Sequence, residues 1–331
     1  MPGSADRTIA YWLLTCAAVV FAMVVLGGVT RLTGSGLSMV DWRPIMGTIP
    51  PLTDAEWLAT FEQYKQFPEY QKVNLGMDLA GFKSIFWLEY AHRVLGRGIG
   101  VLFALPLLYF WLRGRLYQPL TTKLVALLVL GGLQGLMGWY MVKSGLVDDP
   151  RVSQYRLTAH LSLAVIIIVG LVWVAWDLLY ERVGVDRLAL GAAFMVFVTM
   201  LSGGFVAGTD AGLLFGSWPL MGDVFVPMGV YAGGVVAAFE DPVTIQFNHR
   251  MIAYAATGVV VWLLIDRWSS GGAVRWAMVL AGVFLVAQVT LGISTLLLRV
   301  PVSLAAAHQA VGLCLLMTIV FLCHRLAKSD T

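Results

Sequence analysis

Four of the chain's five histidines, His92, His160, His249 and His308, stand at matched places in apolar runs. Each lies about five to nine residues from one end of a stretch that reads as a membrane-crossing helix. At 1.5 Å rise per residue, all four sit roughly 8–13 Å below the same surface. An ionisable side chain at that depth marks a functional site, and imidazole suits iron. A zinc site would ask for further Cys, His or carboxylate ligands, which the second pair lacks. Haem iron needs only two axial ligands, so His92 with His160 and His249 with His308 suffice for two haem sites. One turn beyond the histidines stand Gly96, Ala164, Ala253 and Gly312, small enough to let a macrocycle lie against each helix. A lone membrane histidine more often hydrogen-bonds between helices; four at one depth, in pairs, favour ligation. His324 has no counterpart and is expected to be interfacial only.

Glu89 stands three residues before His92, and Gln246 stands three before His249. Each therefore shares a helical face with its histidine. A carboxylate can move a proton or stabilise developing positive charge, and an amide can do neither. One reactive site and one electron-carrying site follow. The competing reading is an ion pair between Glu89 and Arg93, four residues on, near the interface. Arg31, Arg93 and Arg250 are candidates for haem propionates, their directions open.

The elements that must position these residues are membrane helices. Of 331 residues, 59% are hydrophobic and only 12% charged, against about 25% charged in soluble domains. A soluble enzyme, a disordered chain and a nucleic-acid binder are excluded, and a net charge of +3 is too small for a polyanionic partner. Eight runs reach the roughly 20 residues that a lipid core demands, near 8–30, 84–112, 121–143, 156–180, 188–208, 243–265, 274–298 and 303–323. The fold class is an all-α polytopic membrane protein, surrounded by lipid. Joints after helices two, four and six are basic: Arg113, Arg115 and Lys123; Arg182 and Arg187; Arg267 and Arg275. Arg7, Arg325 and Lys328 add to the same side, while residues 209–242 carry four acids and no Lys or Arg. The positive-inside rule places both termini in the cytoplasm and the histidines toward the outer face. Arg7 precedes a run long enough to stay in the membrane, so no cleavable signal is expected. In the long first outer loop, Thr53 and Glu56 have capping-box spacing, and Trp57, Phe61 and Tyr64 follow on one face. That reads as a short amphipathic helix at the outer membrane surface. Cys16, Cys314 and Cys323 lie inside apolar runs and read as packed thiols.

The chain is also a repeat. Gly27, Gly28, Thr33, Gly36, Leu37 and Trp42 fall on Gly203, Gly204, Thr209, Gly212, Leu213 and Trp218, each 176 residues on. After a one-residue deletion, Pro44, Met46 and Gly47 fall on Pro219, Met221 and Gly222. EYAHR ending at Arg93 matches QFNHR ending at Arg250; Gln134 and Gly138 match Gln288 and Gly292; His160 matches His308. Each half holds four spans, so the repeats are parallel, related by an axis along the membrane normal. Two pseudo-symmetric four-helix bundles are expected, 1–183 and 184–331.

On LGGVTRLTGSGLSMVDWRP, FWLEYAHRVLGR, QFNHR and AAAHQ, the sequence resembles the haem A synthases of aerobic bacteria and mitochondria, from about Tyr11 to Arg325. The resemblance implies oxidation of the C8 methyl of haem O to a formyl, by two successive hydroxylations and loss of water. It implies a substrate-haem site at His92 and His160 in the first half and a resident haem b on His249 and His308 in the second. It also implies that Glu89 is the carboxylate needed for turnover, and that haem O synthase supplies the substrate. Many bacterial members carry a cysteine pair in the first outer loop; residues 31–83 hold none, as in proteobacterial and mitochondrial-type members. A thiol relay there is excluded. The alternative is a di-haem b-type electron carrier linked to quinone; a transporter is disfavoured because the intramembrane polar residues form no path across. The electron acceptor and the oligomeric state, a homo-oligomer among the possibilities, are open at this stage.

Overall fold

The computed structural model describes residues 4–40, 48–147, 149–181, 184–268 and 270–326. Trp42, Pro44, Met46, Gly47, Arg182 and Lys328 lie outside the described residues. Among the described residues the chain is helical and forms no strand. Eight helices are long and apolar enough to cross a membrane: α1 (Ser4–Leu32), α4 (Leu79–Leu112), α5 (Gln118–Gly145), α6 (Gln154–Leu179), α7 (Arg187–Gly208), α9 (Pro242–Asp266), α10 (Gly272–Leu297) and α11 (Val302–Arg325). The two long loops, between α1 and α4 and between α7 and α9, add α2 (Asp54–Tyr64), α3 (Pro68–Lys72) and α8 (Ala237–Glu240). Every expected span is present. The three cysteines are free thiols, two of them buried.

Short side chains set the helix starts. Asp78, Asp186 and Asp241 accept from Gly81, Ala189 and Thr244 N–H and cap α4, α7 and α9. Each cap satisfies a backbone donor that the helix itself cannot. The Asp78 cap starts α4 five residues earlier than the hydropathy pattern places it. His92 consequently stands thirteen residues after the helix begins, against six or seven for the other three. Counting from helix starts therefore does not give one depth for all four.

The added turn of α4 has a packing role. Thr53 and Glu56 close the capping box of α2, whose Trp57, Phe61 and Tyr64 are buried against Phe82 and Phe86 of α4. An eleven-residue helix is marginal alone. Burying each large apolar side chain contributes roughly 1.5–3 kcal/mol, and Phe61 stacks on Phe82 at 5.1 Å. Protein, rather than a lipid surface, covers the apolar face of α2.

The chain divides into two compact units, residues 18–164 and residues 1–17 with 165–331. In the first, α4 packs on α5 and α2. In the second, α7 packs on α9 and α11, and α10 on α11. Asp186, 3% exposed, both caps α7 and pairs with Arg267 at 2.9 Å. His324 departs from expectation: it is fully buried, its Nε2 lies 3.2 Å from Asp177 Oδ1, and Trp173 and Trp176 pack edge-on against it. The imidazole is a core partner of α6 within the second unit because α11 buries its last turn there.

Candidate functional site

Each of the four histidines rests on a glycine of a neighbouring helix. A Cβ added at Gly27 would come within 3.0 Å of His92 Nε2, and one at Gly138 within 3.0 Å of His160 Cε1. In the second unit, a Cβ at Gly203 would lie 3.4 Å from His249 Cε1, and one at Gly292 only 2.8 Å from His308 Cε1. Separations near 3 Å or less are closer than carbon atoms pack, so at three of these positions a side chain would move the ring. The four glycines are repeat landmarks, Gly27 with Gly203 and Gly138 with Gly292, and ring packing explains why. His92 and His160 lie within electrostatic reach of one another, as do His249 and His308. Each pair lies inside one compact unit.

Hydrogen bonds fix the imidazole tautomers in the second unit. His308 Nδ1 lies 3.1 Å from the Gln288 carbonyl oxygen. A carbonyl only accepts, so Nδ1 carries the proton and Nε2 keeps the lone pair. His249 Nδ1 lies 2.7 Å from Ser202 Oγ, whose own proton goes to the Thr199 carbonyl at 2.8 Å. The serine can only accept from His249, so Nε2 again keeps its lone pair. Both rings therefore keep an Nε2 lone pair with the other nitrogen anchored, the arrangement that metal-ligating histidines require; at His308 the Gln288 amide stands 3.4 Å from Nε2.

The first unit lacks this arrangement. His160 Nδ1 is buried without a hydrogen-bond partner. Gln134 stands 3.4 Å from His160 Nε2, as Gln288 does from His308 Nε2, but here the Gln134 amide rather than the ring donates to a backbone carbonyl, that of His160 at 3.1 Å. The residue 176 before Ser202 is Leu26, which has nothing to offer His92.

Glu89 and Gln246 perform the same local task with different charge. Glu89, 2% exposed, accepts from Ser38 Oγ at 2.7 Å and from Met39 N–H at 2.8 Å, and it pairs with Arg93. Gln246, equally buried, accepts from Phe215 N–H at 3.3 Å and donates to the Phe215 carbonyl at 3.1 Å. Met39 and Phe215 are repeat equivalents, 176 residues apart. Arg93 donates to the Met39 carbonyl, and Arg250 to those of Phe215 and Leu220. These arginines clamp the loops at 38–39 and 215–220 to the helices. The Glu89–Arg93 ion pair of the competing reading is present, and it is buried, with loop residues 38–39 bonded to it.

The small residues one turn beyond the histidines do not all present open surface. Met23 Cε fills the space over Gly96, and the Gln288 amide that over Gly312. On α4, the helix that carries His92, an apolar groove of about 520 Å³ is lined by Trp87, Tyr90, Ala91, Val94 and Leu95, with Leu26 of α1. A cavity of about 200 Å³ is bordered by two cations, Arg93 and Lys143, with Met39 and Trp139. Among the described residues no three His, Cys, Asp or Glu side chains gather, so each candidate centre offers its histidine pair and no third such side chain. Such a donor set fits a metal whose remaining positions are filled by a macrocycle. Sequence reasoning missed Ser202 and Ser38; comparing the two halves position by position, Ser202 against Leu26, would have singled out the first.

Fold and site define a multi-pass membrane protein with two partly buried histidine pairs, one flanked by a buried carboxylate and one by a buried amide. The family model described as cytochrome oxidase assembly protein, COX15-CtaA, matches residues 10–320, and the chain belongs to that family. It is 48% identical to the heme A synthase of Nitrosospira multiformis over 98% of this chain and 94% of the relative. It is 47% identical to that of Paramagnetospirillum magneticum over 99% and 96%, and 46% identical to that of Nitrosomonas eutropha over 96% and 94%.

Proposed function

We propose that this chain is a haem A synthase, an oxidoreductase acting on the C8 methyl group of haem O. Its relatives' activity supports the reading, and one observation on this chain carries it: two histidine pairs on matched glycine seats, with a carboxylate at one and an amide at the other. In this reading His249 and His308 hold a resident haem b, and His92 and His160 hold the substrate. When bound, the resident haem supplies one-electron redox capacity. The first half, residues 1–183, is then the reactive half and residues 184–331 the electron-carrying half.

The residues' tasks follow from their surroundings. Glu89 receives donors from Ser38 Oγ and the Met39 N–H and pairs with Arg93, which together hold its position. It supplies fixed negative charge on the helical face of His92, where oxidation of a methyl group leaves carbon electron-poor. A carboxylate already in place needs no reorganisation when that charge develops. Arg93 and Lys143 border the cavity where the propionate edge of a haem would find cations. The wholly apolar groove beside Leu26 offers no hydrogen bond and suits the farnesyl tail, which makes none. The basic joints support a reading with both termini on the cytoplasmic side of a bacterial inner membrane and the haem sites toward the outer face. Haem O synthase is the natural donor of substrate.

Extraction of haems from the purified protein, with mass analysis, tests the reading. Haem b together with haem O, its hydroxylated form or haem A is the expected result. Haem b alone, after expression beside haem O synthase, would identify a di-haem electron carrier instead.

A further inference from the structure

The two histidine pairs differ in what holds their Nδ1 atoms. In the second unit both are anchored: His249 donates to Ser202 Oγ at 2.7 Å, and His308 to the Gln288 carbonyl at 3.1 Å. In the first unit His160 Nδ1 is buried and unsatisfied. His92 has no hydrogen bond to its ring among the described residues, and Leu26 occupies the place of Ser202. Ser202 passes its proton to the Thr199 backbone carbonyl, whose equivalent in the first unit is the carbonyl of Met23.

We propose that this difference divides the sites into one that retains haem and one that exchanges it, with Ser202 as the positioning residue of the retaining site and Leu26 as its counterpart in the exchanging one. The inference rests on the bis-histidine reading above. A hydrogen bond to Nδ1 holds the ring in the tautomer that keeps the Nε2 lone pair, fixes its rotation, and raises the basicity of the ligating nitrogen. A ring free of that bond can turn about its side-chain torsions, so its bond to iron breaks more readily. A resident cofactor needs the first property. A substrate that must enter and whose product must leave needs the second. The Leu26 side chain also lines the apolar groove beside α4, so one residue both removes the anchor and contributes surface to the exchanging site.

The test measures haem release rather than turnover. Purified protein is mixed with excess apomyoglobin and transfer of haem b is followed by absorbance, alongside electron paramagnetic resonance of the oxidised low-spin haem. Removing an anchoring partner of a metal ligand weakens binding about 10–100-fold, so Ser202→Ala should release haem b faster by about that factor with an altered spectrum. Ser202→Thr keeps the hydroxyl and should stay near the wild-type rate. Leu26→Ser restores an acceptor beside His92, with the Met23 carbonyl available for its proton. After loading with one further equivalent of ferric haem b, that variant should release the second equivalent several-fold more slowly than wild type. Wild-type release and spectrum in Ser202→Ala, or equal acceleration in Ser202→Ala and Ser202→Thr, would overturn the role of Ser202. Unchanged release of the second equivalent from Leu26→Ser would overturn the role of Leu26, independently of how well the Ser202 variants fold. Wild-type protein that carries no haem b would instead remove the bis-histidine reading itself.

Discussion

Glu89 and Gln246 hold the same loop residue by the same backbone group, yet one does so with a negative charge and a buried arginine and the other with a neutral amide. The scaffolding task is identical: in each repeat the side chain receives the N–H of the residue at 39 or 215 and ties the outer loop to the histidine-bearing helix. An amide is enough for that task, as Gln246 demonstrates. The charge at Glu89 is therefore surplus to scaffolding. It also carries a cost, because burying a carboxylate requires a partner, and Arg93 provides it. A costly group where a cheap one serves its repeat equivalent points to chemistry at the first site. The comparison also separates two properties that a haem protein can tune independently: charge beside the centre, and restraint on the ligands.

The largest effects should come from the histidines. His92→Ala or His160→Ala should abolish haem A formation while leaving haem b bound; His249→Ala or His308→Ala should remove or alter the haem b spectrum. Haem content by reversed-phase chromatography, with absorption spectra of purified protein, distinguishes the pairs. Identical behaviour of all four variants would end the division of labour between the halves. Next comes Glu89→Gln, which copies the second site into the first. The amide can accept from Met39 N–H and donate to the Met39 carbonyl, as Gln246 does with Phe215, so the loop should stay in place. Removing one partner of a buried ion pair costs about 3–5 kcal/mol, so some stability should be lost. Turnover should fall by about 10²–10⁴-fold, with haem b content preserved and haem O or its hydroxylated form accumulating. Normal haem A yield would reduce Glu89 to a loop clamp.

The glycine seats give a graded test. A Cβ would approach the ring to 2.8 Å at Gly292, 3.0 Å at Gly138 and 3.4 Å at Gly203. Gly292→Ala should perturb the haem b spectrum clearly and Gly203→Ala only slightly, while Gly138→Ala should lower haem A yield without touching haem b. Equal spectral effects of the two second-unit variants would mean that ring contact is not what selects glycine there.

Much of this was legible in the sequence for physical reasons. Lipid forces long uncharged runs, so all eight spans showed in hydropathy, and the repeat exposed the histidine pairs and the Glu89–Gln246 contrast. The capping box of α2 was visible because its chemistry is local. Contacts between helices distant in sequence were not. Asp177, 147 residues before His324, gives that histidine its partner, and no local pattern announces it. Gly96 and Gly312 looked like open surface because composition does not say that Met23 and Gln288 fill it. The start of α4 falls earlier than hydropathy places it because the Asp78 cap and Phe82 continue the helix beyond the hydrophobic span to bury α2.

The smallest expected effect lies in that outer cap, and it depends on pH. Glu69 of α3 is 6% exposed, receives the Tyr64 hydroxyl proton at 3.1 Å, and has Asn74 behind it, donating to Tyr64 Oη at 2.7 Å. Burial pushes its carboxyl up to about 7; the Tyr64 hydrogen bond opposes the rise, and the charge of Glu89 adds to it. An acid whose folded value is raised favours the folded cap when protonated. Its contribution is thus fully present below the ordinary carboxylate range, near 4.5, and is lost as pH rises through about 7. Hydrogen exchange of residues 53–72, corrected for the intrinsic rate, should show protection falling between about pH 5 and pH 8. Glu69→Gln keeps the shape and removes the ionisation, so its protection should be flat over that range and exceed wild type at pH 8. The second outer loop provides the control. Its nearest structural carboxylate, Asp241, is held below its ordinary range by the hydroxyl and N–H of Thr244 despite some burial. Exchange there should not change between pH 5 and pH 8, and equal pH dependence in both loops would rule out Glu69 as the titrating group.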